Sequence, residues 1–512
     1  MDKLIRGVQM GQQMSRSRAP MAPIKFGEWL PDMPEIDNPG CVNVSNVIPF
    51  GPGGYKPFKD FSAHSTTATT ARVLGAVSAS GTSGAVRSFC GDTSKLYYLD
   101  GTVWTSGGSG FTLGNDENWN FLKAPNADTM LACAGSEDVQ AIGMVGDNTF
   151  AAYFTSTLKP KPKYMAQVGS FLMLLNVDEG GTVYPDRVRW SSITDPADMD
   201  ASSANQSDAE DLGGEYGHGQ AIIGGETATI FLERAIFRAS FVGSPAVFRL
   251  DAIETSRGLL APGAIARLGR LIFYLAADGF FLWDGLESHP IGDRKVNQTF
   301  FDAVGTTYYS AISTAIDPQK QLFMVAYPTT SATGGIPDRL LMYHWPSGWW
   351  GEATVTTELI HTGLSPGLTL EELDAISTSL DGLPFSLDSP AWQGSVFQVT
   401  AFNSSHQSGT FTGATLAATI DTGIRQLTPG KQTKLTGALP IIDGGTPTIA
   451  VAGAVRMNNT FTFGSAVSQT TKGKCPIKDK NRFQKLRLGT SASDSWTHAS
   501  GIQPIGSEAG GN

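Results

Sequence analysis

The feature that most limits what this chain can fold into is a recurring Asp-Gly pair set between short runs of bulky apolar residues. Leu96-Tyr97-Tyr98-Leu99 leads into Asp100-Gly101 and then Thr102-Val103-Trp104-Thr105. Leu271-Ile272-Phe273-Tyr274-Leu275-Ala276-Ala277 leads into Asp278-Gly279 and Phe280-Phe281-Leu282-Trp283, with Asp284-Gly285 directly behind. A less regular third case is Leu340 to Trp345, then Pro346-Ser347-Gly348, then Trp349-Trp350. Asp-Gly tolerates the positive φ that tight hairpins need, so each case predicts two antiparallel strands. Bulky side chains on both flanks suit the inner strands of a propeller blade. The period is not strict enough to count as a sequence repeat.

Helix signals are few. Pro31, Pro34, Pro39, Pro49, Pro52 and Pro57 forbid a long helix early in the chain. A short helix is possible over Leu4 to Met14. The best helical pattern is 367–380, with a Thr cap and Glu371 and Glu372 in its first turn. Val296 to Val304 suits one short turn. The chain therefore reads as mainly β: a β-propeller core over 61–400, an additional C-terminal β-rich domain over 401–512, an extended Pro/Gly-rich segment over 23–60 and a mobile basic arm over 1–22.

At 512 residues the chain is too long for one ordinary core. Hydrophobic residues make up 41%, enough for a packed interior, whereas charged residues make up only 16%, below the roughly 25% usual in soluble domains. The net charge of −10 argues against a sequence-independent grip on DNA, which needs cationic surface. Cys41, Cys90, Cys133 and Cys475 are scattered, which predicts reduced, buried thiols and assembly in a reducing cytoplasm. No signal peptide and no run of 18 apolar residues is found, so no membrane anchor is expected.

Signatures of enzymes are missing from the sequence. It has no Gly-x-Ser-x-Gly elbow, no His-Glu-x-x-His helix and no phosphate loop, and its seven histidines have no ligand spacing. No catalytic residue, metal site or cofactor is expected. Leu99 to Trp104 approaches the turn of sialidase propellers, but without the Ser and the spacer before Gly. A glycan-binding or glycan-degrading propeller is therefore the alternative reading. The carboxylates between Asp195 and Glu215 lack the spacing of a calcium loop and read as a solvated loop.

Three stretches carry a resemblance. The first is Phe26-Gly27-Glu28-Trp29-Leu30-Pro31-Asp32, followed by Asn38-Pro39-Gly40 and a turn-rich Asn-Val-Ile-Pro-Phe-Gly segment. The second is Tyr184-Pro185-Asp186-Arg187-Val188-Arg189-Trp190-Ser191, then Asp195-Pro196. The third runs from Ile223 to Phe301 and includes Ile230 to Arg238, Arg257-Gly258, Ala261-Pro262-Gly263 and Pro290-Ile291-Gly292. In this order they resemble the tail nozzle, or tail hub, proteins of short-tailed bacteriophages. The resemblance implies a structural virion protein with no enzymatic activity, forming a homo-hexameric ring below the portal and the head-to-tail adaptor ring. Such a ring continues the DNA channel, helps retain packaged double-stranded DNA, conducts it during ejection, and offers attachment surface for tail fibres or spikes. Residues 401–512 match nothing in that family's pattern.

Candidate subunit contacts are the cations Arg16 and Arg18 of the arm, Arg187 and Arg189, and Lys472, Lys474, Lys478, Lys480 and Arg482 of a basic cluster. Arg187 and Arg189 alternate with Val188 and Trp190, which places both on one strand face, where they can bridge to a neighbour. Candidate channel-lining residues are Asp208, Glu210, Asp211 and Glu215, because a neutral or acidic wall would let DNA pass without the drag of phosphate contacts.

Overall fold

The computed structural model describes residues 21–51, 53–125, 127–365 and 396–509. Arg16, Arg18, the helix expected within Leu4 to Met14 and the helix expected over 367–380 lie outside the described residues.

Among the described residues, seven four-stranded antiparallel sheets follow one another along the chain and form the blades of a β-propeller. Blade 1 starts with strand Gly75–Ser80, blade 2 with Asn120–Lys123, blade 3 with Lys161–Val168 and blade 4 with Gly219–Ile223. Blades 5, 6 and 7 start with Ile265–Leu268, Ser313–Asp317 and Leu359–Leu364. These first strands line the axis, and the first strand of blade 7 adjoins that of blade 1. The second strands are the most buried: Phe171–Glu179, Leu271–Ala276 and Leu322–Tyr327 are almost wholly enclosed. A blade in the ring is covered on both faces, so its middle strands read as continuous apolar runs.

The fourth strand of blade 7 comes from the other end of the propeller. Ser62–Ala63 pairs with Ser408–Thr410, through Ala63 opposite Gly409 and Ser62 opposite Thr410. The propeller thus extends past 400, to Thr410, because Phe397–Phe402 and Ser408–Thr410 belong to its last blade. The three predicted hairpins form, but only one joins inner strands. Asp278-Gly279 links the second and third strands of blade 5, whereas Asp100-Gly101 and Pro346-Ser347-Gly348 link the third and fourth strands of blades 1 and 6. The predicted turn after Val296 is a helix, Asn297–Ala303.

The segment 23–60 is extended, as its prolines require, but it does not stand apart from the C-terminal domain. Two sheets form a β-sandwich from both ends of the chain. In one, Val47–Pro49, Tyr55–Pro57, Trp496–Ala509, Gln432–Gly444 and Asp479–Asn481 lie in that order, with Ile24–Lys25 also on Trp496–Ala509. In the other, Cys41–Ser45, Ala418–Thr422, Phe483–Thr490, Thr448–Ala454 and Val467–Ser468 lie in order. Val44, Ile420, Leu486 and Leu488 of one sheet share a core with Tyr55, Leu435, Trp496 and Ile502 of the other. That core continues without a break into Phe273, Phe280, Phe300, Phe323 and Trp350 of the propeller. All four cysteines are buried and free. Burial pushes the Cys41 thiol up to about 12, which keeps it protonated.

Candidate functional site

Two places gather polar chemistry: the joint between sandwich and propeller, and the propeller axis where its ring closes. The joint is built from stretches far apart in sequence. Gly27 and Gly40 let two backbone segments lie against each other: a Cβ on Gly40 would sit 1.9 Å from the Glu28 carbonyl oxygen. Leu30 N–H donates to the Cys41 carbonyl and Cys41 N–H to the Glu28 carbonyl, both at 2.8 Å. Asn38 ties the intervening turn, donating from Nδ2 to the Leu30 carbonyl and accepting from Gly40 N–H. This clamp aims two carboxylates at the propeller. Glu28 meets Lys295 Nζ at 2.6 Å. Burial holds its carboxyl above the ordinary range, and Lys295 opposes that rise. Asp32 accepts from Gln298 N–H and Thr299 N–H at 2.8 and 2.9 Å and from Thr299 Oγ1 at 2.6 Å, satisfying donors at the start of the helix Asn297–Ala303. The phrase Phe26 to Asp32 and the end of the stretch 223–301 are therefore one physical unit.

The axis holds an open cavity of about 830 Å³ lined by the first strands of all seven blades. Spread over the length of a four-residue strand, roughly 13 Å, and with a water radius restored at each wall, its mean width is about 12 Å, less than the roughly 16 Å that the depths of the two DNA grooves alone span. A duplex does not pass along it. Beside the cavity, blades 1 and 7 are fastened through Glu358. Its carboxylate accepts from Val73 N–H at 3.2 Å and pairs with His406 Nδ1 at 2.6 Å. Burial pushes the Glu358 carboxyl up, while Val73, His406 and Arg72 pull it down.

His361 lies three residues on, in the strand Leu359–Leu364, stacked on Phe402, with its Nδ1 enclosed and unpartnered. Burial lowers its pKa from 6.5 to about 4. The unfolded chain therefore takes up a proton that the fold resists. The stability this group contributes is complete above pH 6.5 and is lost as pH falls towards 4, by at most about 3 kcal/mol. His361→Phe should flatten that loss, and urea midpoints at pH 7 and pH 4.5 for both proteins measure it.

The predicted contact residues divide. Arg187 and Arg189 do share a strand face, but both are engaged within the subunit. Arg187 pairs with Asp211 at 2.7 Å and Glu179 at 3.1 Å. Arg189 is buried, bound to Glu179 at 2.7 Å and to the Met199 carbonyl at 2.9 Å. Within the subunit this pair fastens the outer strand Asp208–Asp211 to the inner strands of blade 3. Asp211 is held below its ordinary pKa by Arg187. Asp208 and Glu210 are exposed on the outer strand of blade 3, away from the propeller axis, and Glu215 is exposed in the turn Gly214–Tyr216 that leads to blade 4. Lys472, Lys478, Lys480 and Arg482 are exposed on the sandwich, and Lys474 is half-buried. Sequence reasoning missed Glu179, which acts across a hairpin on Arg187 and Arg189, and Glu358 and His406, whose partners are remote in the chain.

No family model and no curated protein sequence matches the chain. Among solved structures it is similar to BBS1N in complex with ARL6DN, at 8% identity and a TM-score of 0.38, over 69% of this chain and 97% of that one. It is similar to the WD40 domain of Neurospora crassa Pan2 at 5% identity and a TM-score of 0.36, over 69% and 94%. A chain of the mitotic checkpoint complex gives 7% identity and a TM-score of 0.35, over 71% and 95%. At such scores these neighbours carry nothing about what this chain does, and the propeller rests on its own sheet topology.

Proposed function

We propose that the chain is a structural subunit of the tail nozzle of a short-tailed bacteriophage, placed in the virion tail after assembly in the host cytoplasm. The observation that supports this reading is the joint. Two of the three stretches that resemble nozzle proteins, separate in sequence, meet there through Glu28–Lys295 and Asp32 with Gln298 and Thr299. The remaining stretch, Tyr184 to Ser191, supplies Arg187 and Arg189, which fasten blade 3. The resembling residues thus serve to fix rigid parts relative to one another, which is what a load-transmitting ring subunit needs. Because the propeller axis is too narrow for a duplex, the DNA bore in this reading runs between copies around the ring axis.

The reading predicts a specific loss. Particles assembled without the chain should package DNA and then fail to hold it, with infectivity lowered at least a thousand-fold and DNA in the heads open to nuclease. Nuclease protection and plaque titre measure this. Particles that stay filled and infectious without the chain would rule the nozzle role out.

A further inference from the structure

Charge is segregated along this chain. From residue 411 onward there are 11 Lys and Arg against 5 Asp and Glu, a balance of +6. The preceding 410 residues hold the remaining 26 against 42, a balance of −16. The positive part concentrates on one edge of the sandwich. Asp479–Asn481 pairs with Gln432–Gly444 so that Lys480 stands directly opposite Lys434, both exposed. Lys478 and Arg482 flank Lys480 two residues away on either side, which puts all three on the same face while Asp479 points inward to Gln484 and Asn481. Lysines placed directly opposite in a sheet repel one another and weaken the pairing. Among the described residues, Lys434, Lys478, Lys480 and Arg482 form no ion pair. The nearby cations are matched: Lys431 by Glu508, Lys485 by Glu35 and Arg487 by Asp421. Lys434, Lys478 and Lys480 stand without a carboxylate, and Arg482 meets only neutral groups, Gln426 Oε1 at 3.4 Å and the Phe483 ring, so this edge presents uncompensated positive charge to an anionic surface.

A matching surface exists on the same molecule. Asp208 and Glu210 project from the outer strand of blade 3, two residues apart and exposed, and Glu215 follows; none of the three forms an ion pair among the described residues. The sandwich shares its core with blades 5 and 6, with blade 4 between them and blade 3. We infer that the cationic edge around Lys434 and Lys480 docks on the acidic edge of blade 3 in a second copy of this chain. The contact is heterologous, one patch of one copy on a different patch of the next, the kind of contact whose repetition builds a ring when the rotation between copies closes. This rests on the nozzle reading for its setting and supplies the interface that reading lacks. A second copy is favoured over nucleic acid because the approaching duplex would also meet the acidic propeller.

The test is a charge exchange on the purified chain, read by sedimentation at low and high salt. Lys480→Glu with Arg482→Glu should weaken self-association at least ten-fold, and so should Asp208→Lys with Glu210→Lys. An equimolar mixture of the two variants, each of which retains one wild-type patch and one reversed patch, should form reversed-charge contacts and regain association. Lys480→Glu faces Lys434, so it should raise the urea midpoint while lowering association, which separates the interface from any loss of folding. Either of two results overturns the inference: a wild-type chain monomeric at millimolar concentration in low salt, or variants that associate as the wild type does. Salt-sensitive binding of duplex DNA that is lost with Lys480→Glu would reassign the edge to nucleic acid. Failure here, with the chain still required for DNA retention in particles, removes this interface and leaves the nozzle role standing.

Discussion

Replacing Trp350 by alanine should destabilise the chain by about 3–5 kcal/mol and unfold propeller and sandwich in one transition. Trp350 is fully buried, with ring centroids 5.1 Å from Phe280 and 4.9 Å from Tyr343, and its Nε1 donates to the Ile291 carbonyl at 3.0 Å. Truncation opens a cavity and leaves that carbonyl without its donor, two costs that add. The neighbouring Gly351 packs on the sandwich: a Cβ there would sit 2.7 Å from the Val47 carbonyl oxygen. Since one core runs through both parts, neither keeps its share when the joint fails. Urea denaturation followed by tryptophan fluorescence and by circular dichroism measures it. Coincident curves shifted to lower urea are expected, and two separate transitions would show that the parts are independent. Val145→Ala, at a site 63% exposed, should change stability by less than about 0.5 kcal/mol and serves as the control.

The second large effect is expected at the ring closure. Glu358→Ala should cost about 1–3 kcal/mol, because it strands the Val73 N–H and removes the carboxylate that meets His406 at the seam. Glu358→Gln keeps an acceptor for Val73 and should lose less. The paired strand that closes the ring, Ser62–Ala63, is only two residues long, so the seam depends on side chains as well. Ser408 accepts from His64 N–H at 2.8 Å through its carbonyl and from Trp104 Nε1 at 3.1 Å through its hydroxyl. Hydrogen exchange should therefore quicken first at Val73, Phe402 and their neighbours in Glu358→Ala. Uniform protection across the blades would place the weak point elsewhere.

How much of this was legible in the sequence follows from the range of the interactions. The Asp-Gly turns act within a few residues, so Asp100-Gly101 and Asp278-Gly279 announced their hairpins. Their places within the blades were not legible, because a middle pair and an outer pair carry the same turn chemistry. The sandwich left no local trace, since Cys41 pairs with Thr422 and Ile24 with Ile502 across most of the chain. The segment 23–60 therefore read as a separate extended piece. The boundary at 400 fell inside the strand Phe397–Phe402 for the same reason. Arg187 and Arg189 were correctly put on one face by their alternation, but the carboxylate that claims both, Glu179, lies on the preceding strand. The basic cluster was visible as a run, while Lys434, which stands opposite it, lies 46 residues before Lys480 and became apparent only from the strand register.

The central claim is that this chain is a ring-forming subunit of a phage tail, and direct imaging of intact particles by electron cryomicroscopy tests it. The account predicts six copies around a bore wide enough for a duplex, directly below the portal and adaptor. Each propeller axis should stand off the ring axis, with the Lys434–Lys480 edge of one copy facing the blade 3 edge of the next. Density for the chain at fibre tips, on the capsid, or as isolated single copies away from the bore would contradict it.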